Sequence, residues 1–173
     1  MNNNKCNETI LKKAIHSQLA DIFELYKKTI SHMEEQNMHF WDFNVYPSEE
    51  DLINDERNGE LYCVTDCKKI QSCVALNTIF DEQYKNADWK YQSKKPLSVH
   101  RLCVSPEFQG KGIGKATMLA VEEWGKLNGF DSIRLDAFSR NFPSINMYKN
   151  LGFRKAGEAN WIKGLFYLFE KEL

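Results

Sequence analysis

Apolar residues recur every three to four positions over several stretches of the chain, and this spacing predicts amphipathic helices. The first predicted helix follows Ser17, whose hydroxyl is a candidate N-cap. Its apolar face consists of Leu19, Ile22, Phe23, Tyr26 and Ile30. A second long helix is predicted from Gly112 to a left-handed stop at residues 128–129. Shorter helices are predicted after Pro47 and Pro143, because proline favours the first turn of a helix.

Alternating or continuous apolar runs predict strands before, between and after these helices. The predicted strands cover residues 8–14, 61–65, 72–78, 97–104, 132–138, 154–160 and 165–173. The polar stretches 66–70 and 81–95 are predicted as loops. The order strand, turn, helix, strand over residues 97–138 predicts a βαβ unit with two parallel strands. No repeat or linker divides the sequence, so we expect a single α/β domain over residues 1–173.

Charge excludes two classes of partner. The 23 basic and 24 acidic side chains give a formal net charge of -1, and no basic cluster is present. Proteins that bind nucleic acid or anionic membranes through counterion release carry an excess of Lys and Arg, so neither partner is expected. Residues 1–10 lack the apolar core of a signal peptide, and no apolar run approaches the ~18 residues of a membrane span. We therefore expect a cytoplasmic protein.

The five cysteines are odd in number and sparse, which is typical of reduced structural thiols. They are Cys6, Cys63, Cys67, Cys73 and Cys103. Cys63 and Cys67 are four positions apart, but no second pair of Cys or His residues follows at the spacing of a zinc site. No metal site is expected.

A glycine-rich turn between the strand at 97–104 and the following helix is typical of a phosphate site. Residues 109–115 read Gln-Gly-Lys-Gly-Ile-Gly-Lys. A Walker A loop is excluded because Gln109 replaces its first glycine and Ala116 replaces its hydroxyl residue. A dinucleotide fingerprint would stand early in a doubly wound chain, whereas this turn lies in the second half. A turn without a ligand would not explain three alternating glycines.

The pattern that fits is Gln-x-x-Gly-x-Gly, and here the sequence resembles the GNAT superfamily of acetyl-CoA-dependent N-acetyltransferases. A second motif of that superfamily, Asn-x-x-Ser/Ala-x-x-x-Tyr-x-x-x-Gly-Phe, follows in the right order. Its positions are Asn141, Ser144, Tyr148, Gly152 and Phe153. The resemblance is strong over about residues 97–156.

This resemblance implies a mixed, mostly antiparallel sheet with a central parallel pair of strands, splayed apart for coenzyme A, and helices on both faces. It places a coenzyme-binding core at about residues 97–156 and an acceptor-side segment at about 15–60, with acetyl-CoA as co-substrate. The implied coenzyme-binding residues are Leu102, Cys103, Val104, Gln109, Gly110, Lys111, Gly112, Ile113, Gly114, Lys115, Asn141, Ser144 and Tyr148. The backbone amide of Val104 is the implied oxyanion donor.

The resemblance also implies the proton-handling groups. Tyr148 matches the position of the general acid that protonates the coenzyme thiolate. Ser98 stands where several members carry a glutamate base, which leaves His100, two positions on, as the candidate base. Asp136 is the alternative base and a candidate acceptor-binding residue. Cys103 is not assigned as an acyl carrier because no base stands beside it, so direct attack in a ternary complex is expected.

The sequence indicates only the chemical class of the amine that accepts the acetyl group. Residues 34–60 hold nine acidic side chains and one arginine, and Phe40 and Trp41 lie among them. Together they could bind a small cationic amine, or the acids could form a solvated helix face while the aromatic residues pack. A peptide or protein N-terminus is the alternative acceptor, and a noncatalytic acyl-CoA sensor is the alternative function. A family tendency favours a homodimer.

Overall fold

The computed structural model describes residues 10–66 and 69–173, which build a seven-stranded sheet and the helices around it. The strands are β1 (Leu11–Lys13), β2 (Leu61–Asp66), β3 (Lys69–Asn77), β4 (Pro96–Val104), β5 (Ser132–Phe138), β6 (Arg154–Trp161) and β7 (Gly164–Glu172). The helices are α1 (Leu19–Glu35), α2 (Glu49–Arg57), α3 (Ile113–Leu127) and α4 (Phe142–Asn150). Across the sheet the strand order is β1-β2-β3-β4-β5-β7-β6.

The central pair, β4 and β5, is parallel, and the other neighbouring pairs in this sheet are antiparallel. Alternation along β3 shows why both faces need a cover. Val74 and Leu76 are buried on the face that α3 covers. Cys73 and Ala75 are buried on the opposite face, beneath α1 and α2. The predicted mixed sheet with a central parallel pair and helices on both faces is confirmed.

Ser17 is not the cap of α1, so that prediction is wrong. It lies in a 3-10 turn over His16–Gln18 that runs directly into the helix, and Gln18 occupies the N-cap position. The Gln18 N–H donates to the carbonyl of Ile15 at 2.8 Å, and the Gln18 side chain accepts from the Ile15 N–H at 3.1 Å. The preceding turn thus provides hydrogen bonds to backbone N–H groups that a hydroxyl cap would otherwise accept.

The hairpin of β2 and β3 extends into the stretch predicted as a loop. The pairs Thr65↔Ile70 and Asp66↔Lys69 continue the ladder, so the prediction of a loop over residues 66–70 is wrong for most of that stretch. Backbone pairing overrides the weak strand preference of its polar side chains. Cys67, like Cys6 and residues 8–9 of the first predicted strand, lies outside the described residues.

The connection from β3 to β4, residues 78–95, is called the β3–β4 segment below. It contains a 3-10 turn over Glu82–Asn86 and packs on β6 and β7, where Tyr84 contacts Ala159 and Leu168. Glu170, fully buried in β7, accepts the backbone N–H of Lys90 at 2.8 Å. A buried carboxylate therefore fixes this polar connection to the sheet. Among the described residues, no helix combines the length and apolar composition needed to cross a bilayer.

Candidate active site

The parallel strands β4 and β5 diverge about halfway along their length. Their paired residues run from Pro96↔Ser132 to Val99↔Leu135 and end there, although β4 continues to Val104 and β5 to Phe138. We call the resulting opening, between residues 100–104 and residues 136–138, the β4–β5 cleft. It is the splayed parallel pair that the resemblance implies.

A β-bulge in β4 lies at the mouth of this cleft. Cys73 pairs with Cys103, but Ala75 pairs with His100, so Val74 alone faces both Arg101 and Leu102. A bulge bends its strand and increases its twist, which accounts for the divergence of β4 from β5. Arg101 has a left-handed backbone with φ of 55°, and its carbonyl accepts the Tyr26 hydroxyl at 2.6 Å. Tyr26 of α1 therefore braces the bulge.

The backbone of Val104 is turned toward the cleft. The Ser105 N–H donates to the Gln71 carbonyl at 2.9 Å, so Ser105 and Gln71 form a hydrogen-bonded pair of the β3–β4 ladder. Hydrogen-bonded and non-hydrogen-bonded pairs alternate in an antiparallel ladder, and the next pair is Ser72↔Val104. The Val104 amide consequently points away from β3, toward the side where β5 has diverged.

The glycine turn has an open space beside it. Gly110 and Gly112 have positive φ values of 72° and 81°, and a Cβ at either position would meet no atom of the described residues within 4 Å. Gly114 differs, since its Cβ would lie 3.1 Å from the Met147 sulfur of α4. The first two glycines thus leave room for a ligand beside the turn, whereas the third lets α3 and α4 approach closely.

Partial positive charge converges on this turn. The first backbone N–H groups of α3 have no acceptor within the helix, and the helix dipole adds to their charge. Lys111 and Lys115 are exposed, and neither forms an ion pair with a described residue. The Gln109 side chain instead folds back and donates to the Val104 carbonyl at 3.0 Å. The turn thus presents positively polarised groups to the open space beside it.

Tyr148 is positioned by α4. The helix begins after Asn141, whose side chain accepts the Ser144 N–H at 3.2 Å, and Tyr148 follows two turns later. The Tyr148 ring packs against Phe153 and Phe169, with centroids 5.6 and 6.0 Å away. Burial and the nearby Asp136 carboxylate raise the pKa of Tyr148, so the phenol stays protonated.

Asp136 lies in β5 at the point where the cleft opens. Its Oδ1 accepts the hydroxyl of Tyr84 at 2.8 Å. Burial raises the pKa of Asp136 to about 6, although the Tyr84 hydrogen bond and Arg101 act in the opposite direction. The carboxyl group therefore exchanges its proton just below neutral pH.

His100, in β4, is surrounded by polar groups. Its Nε2 lies 2.7 Å from the Ser98 hydroxyl, 3.1 Å from the Asn77 side-chain oxygen and 3.1 Å from the Ile79 carbonyl. The last two partners are acceptors, so Nε2 carries the proton in the neutral ring. Burial and the Arg101 charge lower the pKa of His100 to about 4.

A sequence model described as the acetyltransferase (GNAT) family matches residues 19–153. The chain belongs to the acetyltransferase (GNAT) family. This is the family that the sequence motifs resemble.

Solved structures share the fold over nearly the whole chain. A GNAT-family acetyltransferase from Streptococcus agalactiae 2603 superposes with a TM-score of 0.85 at 18% identity, covering 96% of each chain. A putative acetyltransferase from Salmonella typhimurium, solved with its cofactor acetyl-CoA, gives a TM-score of 0.68 at 15% identity, covering 96% of this chain and 95% of the other. Among curated relatives, mouse N-acetyltransferase family 8 member 3 is 31% identical over 65 residues, which are 38% of this chain. The chain spans only 29% of the length of that relative.

The predicted acceptor-binding aromatic residues of this GNAT protein lie in different surroundings. Phe40 is buried, stacks on Phe138 with centroids 4.8 Å apart, and meets Phe166 edge-on. Trp41 is only partly buried and packs against Tyr26, 5.7 Å away. Phe40 is thus a core residue, whereas Trp41 keeps an accessible surface.

Several of the predicted acidic residues are already paired within the protein. Asp55 binds Arg101, Glu49 binds Lys27 at 3.1 Å, and Asp51 accepts the Ser48 backbone N–H at 2.7 Å. Asp136, the carboxylate proposed from the strand at residues 132–138, lies where the cleft opens.

Sequence reasoning misses two contacts at the site, the ion pair of Arg101 with Asp55 and the hydrogen bond from Tyr84 to Asp136. Asp55 is one acid in an acidic run, and Tyr84 lies in a stretch predicted as a polar loop. No local spacing links residue 84 to residue 136 or residue 55 to residue 101, because the fold alone brings them together. A GNAT glycine turn can be recognised from sequence, but these long-range pairs cannot.

Proposed function

We propose that this protein transfers an acetyl group from acetyl-CoA to a primary amine of a small molecule, by direct attack in a ternary complex. The observation that carries the proposal is the β4–β5 cleft, which has the glycine turn beyond one end, Asp136 where it opens, and Tyr148 within electrostatic range of Asp136.

The residues at the cleft fit acetyl-CoA. The Gly110 and Gly112 positions are open, and the N–H groups at the start of α3, with Lys111 and Lys115 beside them, suit a pyrophosphate. The Val104 amide, which faces the cleft, suits both an extended pantetheine arm and a developing oxyanion. When bound, acetyl-CoA supplies the activated thioester.

The base and the acid are assigned to separate groups. An amine of pKa ~10 is protonated at pH 7, so it must lose a proton before it attacks. Asp136, whose pKa of about 6 leaves it ionised at neutral pH, accepts that proton. Tyr148, held in its protonated form, donates a proton to the departing sulfur.

His100 is less suited to the base role than the sequence suggests. Its pKa of about 4 makes it a weaker base than Asp136, and its Nε2 already has three polar neighbours. We propose instead that His100 holds Asn77 and Ser98 in place behind the cleft. Cys103 is buried, and its pKa is raised to about 12 by burial, which supports direct attack without an acyl-cysteine.

A small acceptor is favoured because the β3–β4 segment and the Phe40–Phe138 stack both stand over the face of the sheet that carries Asp136. A single ionised carboxylate with aromatic neighbours suits a cationic amine. An acceptor of the peptide class is the alternative; a ribosomal-protein-S18-alanine N-acetyltransferase from Escherichia coli shares the fold with a TM-score of 0.69 at 15% identity, covering 95% of this chain and 93% of the other.

The proposal is tested by measuring thiol release from acetyl-CoA with a panel of amines and peptides, beside calorimetry of coenzyme binding. Release with small amines supports the proposal. Release with peptides only overturns its acceptor class. Tight binding with no release on any acceptor identifies a sensor, and an absence of binding removes the coenzyme assignment.

A further inference from the structure

Tyr84 reaches the reaction centre from far along the chain. It lies in the β3–β4 segment, 52 positions before Asp136, and its hydroxyl donates to Oδ1 of that residue at 2.8 Å. Only 4% of Tyr84 is exposed, so the hydrogen bond lies in a largely dry environment. In such surroundings a hydrogen bond to a carboxylate is stronger than in water.

Packing holds the Tyr84 ring in one orientation. Phe80 and Trp89 both pack against it, with centroids 5.4 and 5.8 Å from the Tyr84 ring. The Trp89 indole N–H donates to the Tyr84 carbonyl at 3.0 Å and closes the segment on itself. Tyr84 thus enters the cleft as a preorganised donor, because both its ring and its backbone are fixed.

The sheet provides a fitted seat for this segment. Gly157 in β6 has no side chain, and a Cβ there would lie 2.8 Å from the Cα of Ala87. The buried Glu170 binds the Lys90 N–H, and Arg154 pairs with Glu170 at 2.5 Å. The distance between Tyr84 and Asp136 therefore depends on how closely residue 87 approaches β6.

We propose that Tyr84 is a positioning residue for acetyl transfer: its hydroxyl binds Oδ1 of Asp136 and directs Oδ2 toward the incoming amine. This inference rests on the proposed role of Asp136 as the base. Within the described residues, Oδ2 has no hydrogen-bond partner, so it is the oxygen left to accept a proton. Without Tyr84 the carboxylate would rotate about its Cβ–Cγ bond and would present either oxygen.

The same hydrogen bond adjusts the acidity of Asp136. Burial raises the pKa of Asp136, the Tyr84 hydroxyl lowers it, Asp81 of the same segment raises it, and Arg101 of β4 lowers it. Tyr148 of α4 and Tyr46, which precedes α2, also lie within electrostatic range of this carboxylate. Removal of the Tyr84 hydroxyl takes away a hydrogen bond that stabilises the ionised carboxylate, so the pKa of Asp136 rises.

The test compares Tyr84→Phe with Tyr91→Phe, which makes the same chemical change in the same segment. The Asp136 carboxyl carbon is titrated by NMR in the ligand-free protein, with Asp136→Asn to assign its signal. We expect Tyr84→Phe to raise the pKa of Asp136 by about half to one unit. Tyr91→Phe leaves it unchanged. An unchanged titration in Tyr84→Phe overturns the inference.

Kinetics separate positioning from structural support. In Tyr84→Phe the apparent pKa of the acidic limb of kcat/KM rises by the same amount as the pKa of Asp136. The activity relative to wild type is therefore about two- to fivefold lower at pH 6 than at pH 8. Gly157→Ala, which displaces the segment without touching Asp136, shifts the limb in the same direction. An activity loss that is equal at every pH indicates a structural role only and overturns the positioning role.

The two proposals fail in different ways. If the wild-type protein releases no thiol with any acceptor, the proposed function fails whatever the titration shows. The second case is an active wild-type protein in which Tyr84→Phe shifts the pKa of Asp136 but leaves the acidic limb of kcat/KM unchanged. Asp136 is then not the base, and the positioning role of Tyr84 is overturned.

Discussion

The guanidinium of Arg101 and the carboxylate of Asp55 form a forked ion pair beneath the bulge of β4. Nε donates to Oδ2 at 3.0 Å, and Nη2 donates to Oδ1 at 2.5 Å. Both side chains are nearly buried, with 11% and 8% of their surface exposed. The pair links α2 to the residue whose left-handed backbone makes the bulge, so it holds the cleft open.

Asp55→Ala should destabilise the fold strongly, because it leaves the Arg101 guanidinium buried without its partner. Loss of one member of a buried pair lowers the free energy of unfolding by about 3–5 kcal/mol. Chemical unfolding measures the effect. Glu49→Ala is the matched control in the same helix: it removes an exposed pair with Lys27 and should change the free energy by less than about 1 kcal/mol. Equal losses in both variants would contradict the bracing role.

Tyr148→Phe should lower kcat by about 100-fold or more while coenzyme affinity stays near the wild-type value. The phenol donates its proton only during the reaction, whereas the ring packing is retained. Steady-state kinetics of thiol release give kcat, and calorimetry gives the coenzyme affinity. Tyr62→Phe, which removes a hydroxyl elsewhere in the same core, is the control and should be fully active. A parallel loss of both quantities in Tyr148→Phe would show that Tyr148 binds and does not protonate.

Gly112→Ala and Gly129→Ala separate backbone strain from ligand binding. Both residues have similar positive φ values, 81° and 74°, so each substitution should lower stability by about 1–2 kcal/mol. Gly112 stands in the open turn at the start of α3, whereas Gly129 follows the end of that helix. Only Gly112→Ala should weaken coenzyme binding, by about tenfold or more as measured by calorimetry. Equal affinity in the two variants would place the pyrophosphate elsewhere.

Asp136→Asn and His100→Gln distinguish the two candidate bases. We expect Asp136→Asn to lower kcat/KM by about 100-fold at pH 7.5, since amine deprotonation loses its acceptor. His100→Gln keeps a polar group beside Asn77 and Ser98 and should lower it less than about tenfold. The reverse order of these losses would restore His100 as the base.

Asp136 should also reduce stability as the pH rises. Its folded pKa of about 6 exceeds the ordinary carboxyl value, so the folded state binds the proton more tightly than the unfolded state. Stability is then lost between about pH 4 and pH 6, and Asp136→Asn should be more stable than wild type by up to about 3 kcal/mol at pH 8. Thermal unfolding at several pH values measures this gap, which should nearly vanish at pH 4.

Asp131→Asn provides the control of opposite sign. Burial would raise the pKa of Asp131, but hydrogen bonds from Ser93 and from the N–H groups of Lys94 and Lys95 outweigh it and lower the pKa. The ionised carboxyl stabilises the fold, so Asp131→Asn should be less stable than wild type at neutral pH. If both variants showed the same trend with pH, burial would not be the cause of the Asp136 shift.

Local patterns were sufficient for the parts of the fold that depend on neighbours in sequence. The βαβ unit, the glycine turn and the short helix at Pro143 all follow from spacing and residue type. The bulge at Arg101 could not be predicted, because its cause is a register shift against β3 and support from α1 and α2. The Tyr84–Asp136 contact likewise depends on where the polar β3–β4 segment packs on the sheet. Contacts between segments that are distant in sequence, which no single stretch encodes, decide both.

The centre of a sheet normally protects its amide hydrogens best, while the edges exchange with solvent first. In this protein the order should be inverted at one place. Beyond Val99 no described residue pairs with the middle strand β4 on the side of β5, so the Val104 amide should exchange with deuterium much faster than the paired amides on either side of it. Protection of that one amide on addition of a ligand would then report directly that the gap in the sheet has been filled.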